Sequence, residues 1–306
     1  MMNLGIIIVS YNTRELLRHC LVSVDAETAR TSDLQVTTVV VDNASADASA
    51  EMVARDFPHV HLIASDENLG FARGNNVGFR HLGFGQVGPR PDAVLLLNPD
   101  TELHPHALAI LTRFLQENPQ VGGCCPRLNY GDGSFQHSAF HFPGLIQLYL
   151  DLYPIPRLMD TRLNGRYPRS RYDAGQPFAI DFALGAALMV RAEAIEAVGL
   201  LDEAYFMYAE EMDWQKRLQR AGWPMVCVPR ARVTHYEGQS ARQFRRAMTV
   251  ALWRSRLRYY HQHHAPWKRN LERKLLAWAL RGRIMRARKA ADAEAIAAWE
   301  EILAFL

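Results

Sequence analysis

Six consecutive residues, Val36-Thr37-Thr38-Val39-Val40-Val41, are all β-branched. Such side chains are stiff at χ1 and suit a pleated surface, and a run without polar alternation leaves no face for water. The segment therefore belongs inside a parallel sheet covered on both sides. Its neighbours point the same way. Residues 4–10 form a second apolar run of strand length, Thr13 stands where it would cap a helix through about Val24, and residues 47–56 read as a short helix before a strand at 60–64. Residues 74–82 read as a helix, 93–97 as a fourth strand, and 105–117 as a helix with proline in its first turn. This β-α-β-α order predicts an α/β fold: an open, mostly parallel twisted sheet with helices on both faces.

The second half is less regular. Residues 130–133, Tyr-Gly-Asp-Gly, read as a hairpin turn, and the proline-rich stretch 143–177 as loop with short helices. A strand at 183–190, a helix through Val198, a helix from about Glu211 to Arg220 and two short strands at 225–228 and 232–235 complete a body over 1–240. Residues 241–306 read as a helical tail, broken at Ala265-Pro266. Charge divides along the same line. Residues 242–289 hold 15 Lys or Arg against the single acid Glu272, which leaves −11 for the remainder of a chain of net charge +3. The four cysteines, Cys20, Cys124, Cys125 and Cys227, form no C-x-x-C pair, so neither a disulfide framework nor a zinc knuckle is expected. The apolar start at 4–9 is too short to span a bilayer, and the expected location is cytoplasmic.

Ligands of open α/β sheets gather at the carboxyl ends of the strands. After the first strand stands Ser10-Tyr11-Asn12, after the second Asp42-Asn43-Ala44-Ser45, after the third a stretch with Arg73, Asn75 and Asn76, and after the fourth Asn98-Pro99-Asp100. Carboxylates, amides and a guanidinium on one edge suit a hydrogen-bonded base, a phosphate and a hard cation. Singly, each has a plainer explanation: Asp42 as a helix cap, Asn98-Pro99-Asp100 as a turn. Four polar strand ends in succession exceed what turns require. Residues 83–88 match G-x-G-x-x-G, but they follow a helix and precede a strand, the reverse of a dinucleotide loop. A second acidic group, Glu210, Glu211 and Asp213, opens a helix, where acids also favour the helix dipole. His235 ends a strand, and gains meaning as a ligand only if it meets Asp100.

Taken in order, IIIVSYN, VVVDNASAD, ENLGFARGNN, LLLNPD, PRL with DGS, LGAALMVR, LDEAYFMYAEEMDW and VTHYEG resemble the inverting glycosyltransferases of family 2, which have the GT-A fold. The resemblance runs from residue 6 to about 238, and its nearest branch is similar to the rhamnosyltransferases of bacterial cell-surface polysaccharide synthesis. It implies that Tyr11, Asn12, Asp42 and Asn43 hold the base of a dTDP- or UDP-sugar. It implies Arg73 and Asn75 along ribose and diphosphate, and Asn98 and Asp100 as the D-x-D element. Asp100 and His235 would then ligate a divalent cation, Mg2+ or Mn2+. Glu211 falls at the family's catalytic acid, with Glu210 and Asp213 as alternatives, and Gly185, Ala186 and Trp214 fall on the acceptor side. The acceptor implied is a glycan or a polyprenyl-diphosphate-linked sugar. Two departures stand out: Asn98 replaces the first Asp of D-x-D, and Glu211 replaces an Asp.

Two rivals remain at this stage. A nucleotidyltransferase requires a Gly- and Arg-rich loop after the first strand, where this chain has Ser10-Tyr11-Asn12. A non-catalytic, membrane-associated sugar-nucleotide-binding protein on a degenerate transferase body would suit the basic tail. In that tail Phe244, Met248, Leu252 and Tyr259 recur at helical spacing, with Trp253, Leu257 and Tyr260 beside them. This first helix is expected to pack on the body or on a second subunit, as in a homodimer. Trp267, Leu271, Leu275 and Trp278 recur among basic residues, as in helices lying on an anionic membrane surface. No nucleic-acid-binding motif accompanies the charge.

Overall fold

In the computed structural model of the chain, which describes residues 1–236 and 245–306, the β-branched run lies inside a ten-stranded sheet. Glu237, Gly238, Arg242 and Phe244 lie outside the described residues. The first half comprises β1 (Met2–Ser10), α1 (Arg14–Arg30), β2 (Leu34–Asp42), α2 (Ser49–Asp56), β3 (His61–Ala64), α3 (Gly70–His81), β4 (Ala93–Leu97), β5 (Thr101–Leu103) and α4 (Ala107–Glu117). Then follow β6 (Gly123–Asn129), β7 (Phe135–Gln136), β8 (Ala139–Phe140), α5 (Leu145–Leu152), α6 (Arg169–Asp173), β9 (Phe178–Ile180), β10 (Phe182–Ala183) and β11 (Ala187–Arg191). Last come α7 (Ala192–Val198), α8 (Glu210–Arg220), β12 (Met225–His235), α9 (Arg245–His263), α10 (Pro266–Lys289) and α11 (Ala293–Ala304).

The sheet order is β3-β2-β1-β4-β11-β6-β12-β5. The quartet β3-β2-β1-β4 is parallel, β11 enters antiparallel between β4 and β6, and β12 runs parallel to β6. Strand order reverses between β1 and β4, the kind of switch point that opens a crevice at the strand ends. Alternate side chains feed two cores. Ile7, Val39, Val41, Val94 and Leu96 face α3, α8 and the C-terminal helices, whereas Ile6, Ile8, Val40, Leu95 and Leu97 face α1 and α4.

Local expectations changed at four places. Thr13 precedes α1, yet its hydroxyl pairs with Ser10 Oγ at 2.9 Å, and the first-turn N–H of Arg14 donates instead to Asp47 Oδ2 at 2.8 Å. Helix α4 starts after Pro105, because the N–H groups of His106 and Leu108 donate to the buried Glu27 carboxylate. The strand expected over 183–190 is interrupted between Ala183 and Ala187. The two strands expected near 225 and 232 are one strand, β12, whose register shifts between Val228 and Arg232. Pro229 sits in that shift, and a proline without an N–H is tolerated in a strand chiefly at such bulges.

Helix α9 packs on the body, as expected of the first tail helix, with Trp253, Tyr259 and Tyr260 buried. One face grips the segment that precedes and begins α8. Ser255 Oγ donates to the Met207 carbonyl at 2.7 Å, Arg258 Nη2 to Asp202 at 2.6 Å, and Gln262 Oε1 accepts from the Tyr205 hydroxyl at 2.6 Å. Spacings of three and four align these residues on the helix. Among the described residues no helix is long and apolar enough to cross a membrane.

Candidate functional site

The loops after β1 and β2 are laced together. Asn12 adopts a left-handed backbone (φ 52°), donates its N–H to Ser45 Oγ at 2.9 Å and accepts from the Ala46 N–H at 2.8 Å. Tyr11 is half-buried beside it. Asp42 is buried; its Oδ2 accepts from the Ser45 N–H at 2.9 Å, while its Oδ1 has no partner among the described residues. Asp42 does not cap α2, because Asp47 Oδ1 accepts from the Ser49 N–H at 3.1 Å. An unpartnered buried acceptor costs about 1–3 kcal/mol, a deficit that a ligand N–H would remove. Asn43 is also buried, with its amide N–H on the Gly70 carbonyl at 3.1 Å and its Oδ1 unpartnered.

Helix α3 begins hard against the acidic segment. Gly70 has φ 73°, and a Cβ there would lie 2.2 Å from the Phe206 carbonyl oxygen, so only glycine fits. The Phe71 N–H donates to that same carbonyl at 2.8 Å. Arg73 lies at the surface and pairs with Glu67 at 3.1 Å, an exposed pair of little net strength. Asn75 is buried, and its amide N–H donates to the Phe71 carbonyl at 2.9 Å. That side chain therefore braces the first turn of the helix.

Asn98-Pro99-Asp100 turns the chain from β4 into β5, with Thr101 Oγ1 donating to the Asn98 carbonyl at 2.7 Å. β5 pairs antiparallel with β12 in a register that sets His235 opposite Thr101. Asp100 and His235, distant in sequence, thereby meet with Oδ1 and Nε2 3.4 Å apart, both nearly buried. His235 Nδ1 lies 3.2 Å from Oε1 of the buried Gln136, to which the sequence reading gave no role. Among the described residues no group of three His, Cys, Asp or Glu converges. A carboxylate oxygen and an imidazole nitrogen would suit a divalent cation such as Mn2+, with diphosphate and water left to supply its other ligands.

The acidic segment is strained. Tyr208 (φ 70°) and Ala209 (φ 66°) are successive non-glycine residues in the left-handed region, at about 1–3 kcal/mol each, immediately before Glu210. Glu210 is buried and Glu211 half-buried, and each has one oxygen without a partner among the described residues. Glu211 packs against Gly185, whose backbone N–H favours the ionised carboxyl, and a Cβ on Gly185 would lie 3.5 Å from both the Glu211 Cγ and the Phe71 ring. Burial pushes the Glu211 carboxyl above its ordinary range. Glu210 is pushed well above it, first by burial and then by repulsion from Glu211.

Two sequence candidates do not reach the crevice. Both Asp213 oxygens are occupied: Arg217 Nε donates to one at 2.9 Å, and His263 Nε2 of α9 lies 2.7 Å from the other. Asp213 is an anchor between α8 and α9. Trp214, placed on the acceptor side by the resemblance, is fully buried, donates its indole N–H to the Gly199 carbonyl and packs edge-on against Phe79. It is a core residue. The other two residues that the resemblance placed on the acceptor side lie in the interrupted strand, where the Ala186 carbonyl accepts the Asn98 N–H at 2.9 Å and Gly185 lies against Glu211. This break joins the Asp100 turn to the acid pair.

Over residues 3–261 the chain matches the sequence profile described as Glycosyltransferase like family 2. It is similar to the N-acetylglucosaminyl-diphospho-decaprenol L-rhamnosyltransferase of Mycobacterium tuberculosis, with 29% identity over 283 residues, 91% of this chain and 89% of that protein. It is also similar to the dTDP-rhamnosyl transferase RfbF of Shigella flexneri, with 24% identity over 78% of this chain and 71% of that protein. Among solved structures, the mannosyltransferase PcManGT from Pyrobaculum calidifontis, in complex with GDP-Man and Mn2+, has the same fold. Its TM-score is 0.59 at 18% identity, covering 96% of this chain and 77% of that one.

Proposed function

The chain belongs to glycosyltransferase family 2, and on that premise we propose that it transfers rhamnose, or a related sugar, from a dTDP- or UDP-linked donor. The acceptor is a hydroxyl of a polyprenyl-diphosphate-linked or glycan chain, and the anomeric configuration inverts. The observation that carries this reading is the break between β10 and β11, which ties the Asp100 turn to Glu211 through adjacent residues. Donor diphosphate and acceptor hydroxyl thus meet over Gly185 and Ala186.

Asp42 Oδ1 accepts the ring imide N–H of the base, supplying its missing partner. Arg73 leaves Glu67 to lie along the diphosphate. Asp100 and His235 would hold a divalent cation, which when bound would supply charge neutralisation at the departing nucleoside diphosphate. Glu211 takes the acceptor proton as the acceptor oxygen bonds to the anomeric carbon and the anomeric carbon–diphosphate bond breaks. Attack opposite the leaving group inverts the centre. The test is a donor panel with purified protein and a lipid-diphosphate sugar acceptor. Nucleoside diphosphate release is expected with a rhamnosyl donor and to be stimulated by acceptor. Binding without release, from every donor, would leave the non-catalytic rival standing.

The second part of the reading concerns location: α10 rests on an anionic membrane surface. Leu276, Ala279, Leu280 and Ile284 are buried, and the helix contacts α5 and α11. On the opposite side Trp267, Leu271, Trp278 and Met285 are exposed, at spacings of four and seven. Leu275, expected on that face, is half-buried. Lys274, Arg281 and Lys289 fall among the exposed apolar residues by helical spacing, each worth about 1 kcal/mol near anionic lipid. Tyr153 joins Trp278 at 5.4 Å between ring centres, which extends the surface towards exposed Tyr149 and Ile146 of α5. Because α9 grips the acidic segment, the test uses surface substitutions in the full chain rather than truncation. Combined Trp267→Ser and Trp278→Ser changes are expected to weaken co-sedimentation with phosphatidylglycerol vesicles about tenfold or more. Unchanged sedimentation would remove α10 from membrane docking.

A further inference from the structure

Gln136 lies at the end of β7, a two-residue strand pinned to β6 by the register Leu128↔Gln136. The hairpin before it is tightly specified. Gly133 has φ 82°, the Tyr130 N–H donates to the Ser134 carbonyl at 2.8 Å, and Asp132 accepts from the Ser134 N–H at 2.9 Å. The Asp132-Gly133-Ser134 turn therefore fixes where Gln136 falls, and it falls behind His235, buried, with Oε1 at 3.2 Å from Nδ1.

We propose that Gln136 is a positioning residue that fixes the His235 tautomer and thereby makes the Asp100–His235 pair a cation seat. This rests on the reading of Asp100 and His235 as cation ligands. An amide oxygen only accepts, so it holds the ring proton on Nδ1. Nε2 then turns a lone pair towards Asp100 Oδ1, 3.4 Å away. Two acceptors facing each other repel until a cation enters, and that cation gains both as ligands. With the other tautomer Nε2–H would donate to Asp100, forming a closed dyad with no lone pair to offer. The choice between cation seat and closed dyad lies with Gln136, by the same logic through which outer partners orient metal-bound histidines elsewhere.

The experiment reads tautomer and cation binding directly, without turnover. Nitrogen-15 NMR of the metal-free full chain, at a pH where histidine is neutral, reports which His235 nitrogen carries the proton. Titration with Mn2+ alone, followed by electron paramagnetic resonance, reports affinity. Wild-type protein is expected to show Nδ1–H. Gln136→Met, close in volume but without the acceptor, is expected to lose that preference and bind Mn2+ about 10–100-fold more weakly. Gln136→Glu keeps an acceptor oxygen and is expected to retain the wild-type tautomer and to bind Mn2+ at least as tightly, so the idea stays testable even if the methionine variant misfolds. Nε2–H in the wild type overturns the proposal. So does unchanged Mn2+ affinity in Gln136→Met when Asp100→Asn lowers it, or loss of the Nδ1–H form in a folded Gln136→Glu. If Asp100→Asn leaves Mn2+ affinity unchanged as well, the cation reading itself has failed, a result distinct from failure of the positioning role.

Discussion

Glu211→Gln is expected to lower kcat by about 10²–10⁴ while leaving donor affinity nearly unchanged. The amide keeps the shape beside Gly185, but it cannot take the acceptor proton. Glu210→Gln tests the neighbour. Glu210 is the more buried of the two, and its carboxyl is the more strongly raised, so it is expected to be protonated where Glu211 is ionised. Its replacement should therefore cost far less turnover. The reverse ranking, measured under saturating donor and acceptor, would move the base by one residue. Glu211→Asp retains the carboxylate one methylene shorter, and retained activity would show that the proton is still within reach.

The pH dependence has a definite sign. A base works ionised, and burial raises the Glu211 pKa, so kcat/KM is lost as pH falls through a value above the ordinary glutamate range of about 4.3. In Glu211→Gln this acid limb should vanish. Stability runs the other way for Glu210. Its folded pKa lies above the unfolded one, so its stabilising contribution is full below the unfolded pKa and is lost as pH rises through the folded value. Glu210→Gln is accordingly expected to raise Tm relative to wild type at neutral pH, a difference that should disappear in acid.

What sequence could say followed from chain-local rules. The parallel quartet was readable because a β-branched run without polar alternation has one home, and its strand ends then named Asp42, Asn43 and Asp100 without reference to contacts. Roles set by distant partners were not readable. Nothing local distinguishes Asp42 from Asp47 as the helix cap; the orphaned Asp42 Oδ1 and the occupied Asp47 separate them only in space. Asp213 looks like a third candidate base until α9 delivers His263, 50 residues later. Trp214 shares its stretch with the acids, yet it is fully buried against Phe79 with its indole N–H on the Gly199 carbonyl, partners that only the folded chain supplies. The interruption at 184–186 hides inside an apolar run because Leu184, Gly185 and Ala186 are as apolar as the strands they separate. Gln136 carries no signal of its own, and its place depends on a hairpin register.

Asp100→Ala is expected to bring turnover to background. The Asn98-Pro99-Asp100 turn, which resembles a D-x-D element with its first Asp replaced, has a single carboxylate. Asn98 is also engaged through its backbone, with its N–H on Ala186 and its carbonyl on Thr101, so it serves the turn. Removing Asp100 leaves the His235 imidazole as the remaining protein ligand proposed for the cation. Charge neutralisation at a leaving diphosphate contributes several kcal/mol, which corresponds to a loss of about 10³-fold or more. The fold should tolerate the change, because the Asp100 backbone carbonyl keeps its bond from the Tyr236 N–H at 2.9 Å. An unchanged Tm is the control that separates lost chemistry from lost structure. Asn98→Asp is the complementary variant: a second carboxylate is expected to tighten Mn2+ binding and to reduce the cation concentration needed for half-maximal turnover. Full turnover of the wild type in excess chelator would take Asp100 out of the cation role, whatever the alanine variant does. If chelator abolishes turnover and Asp100→Ala retains it, the cation is held elsewhere, and the Asp100–His235 pair is a structural clasp between β5 and β12.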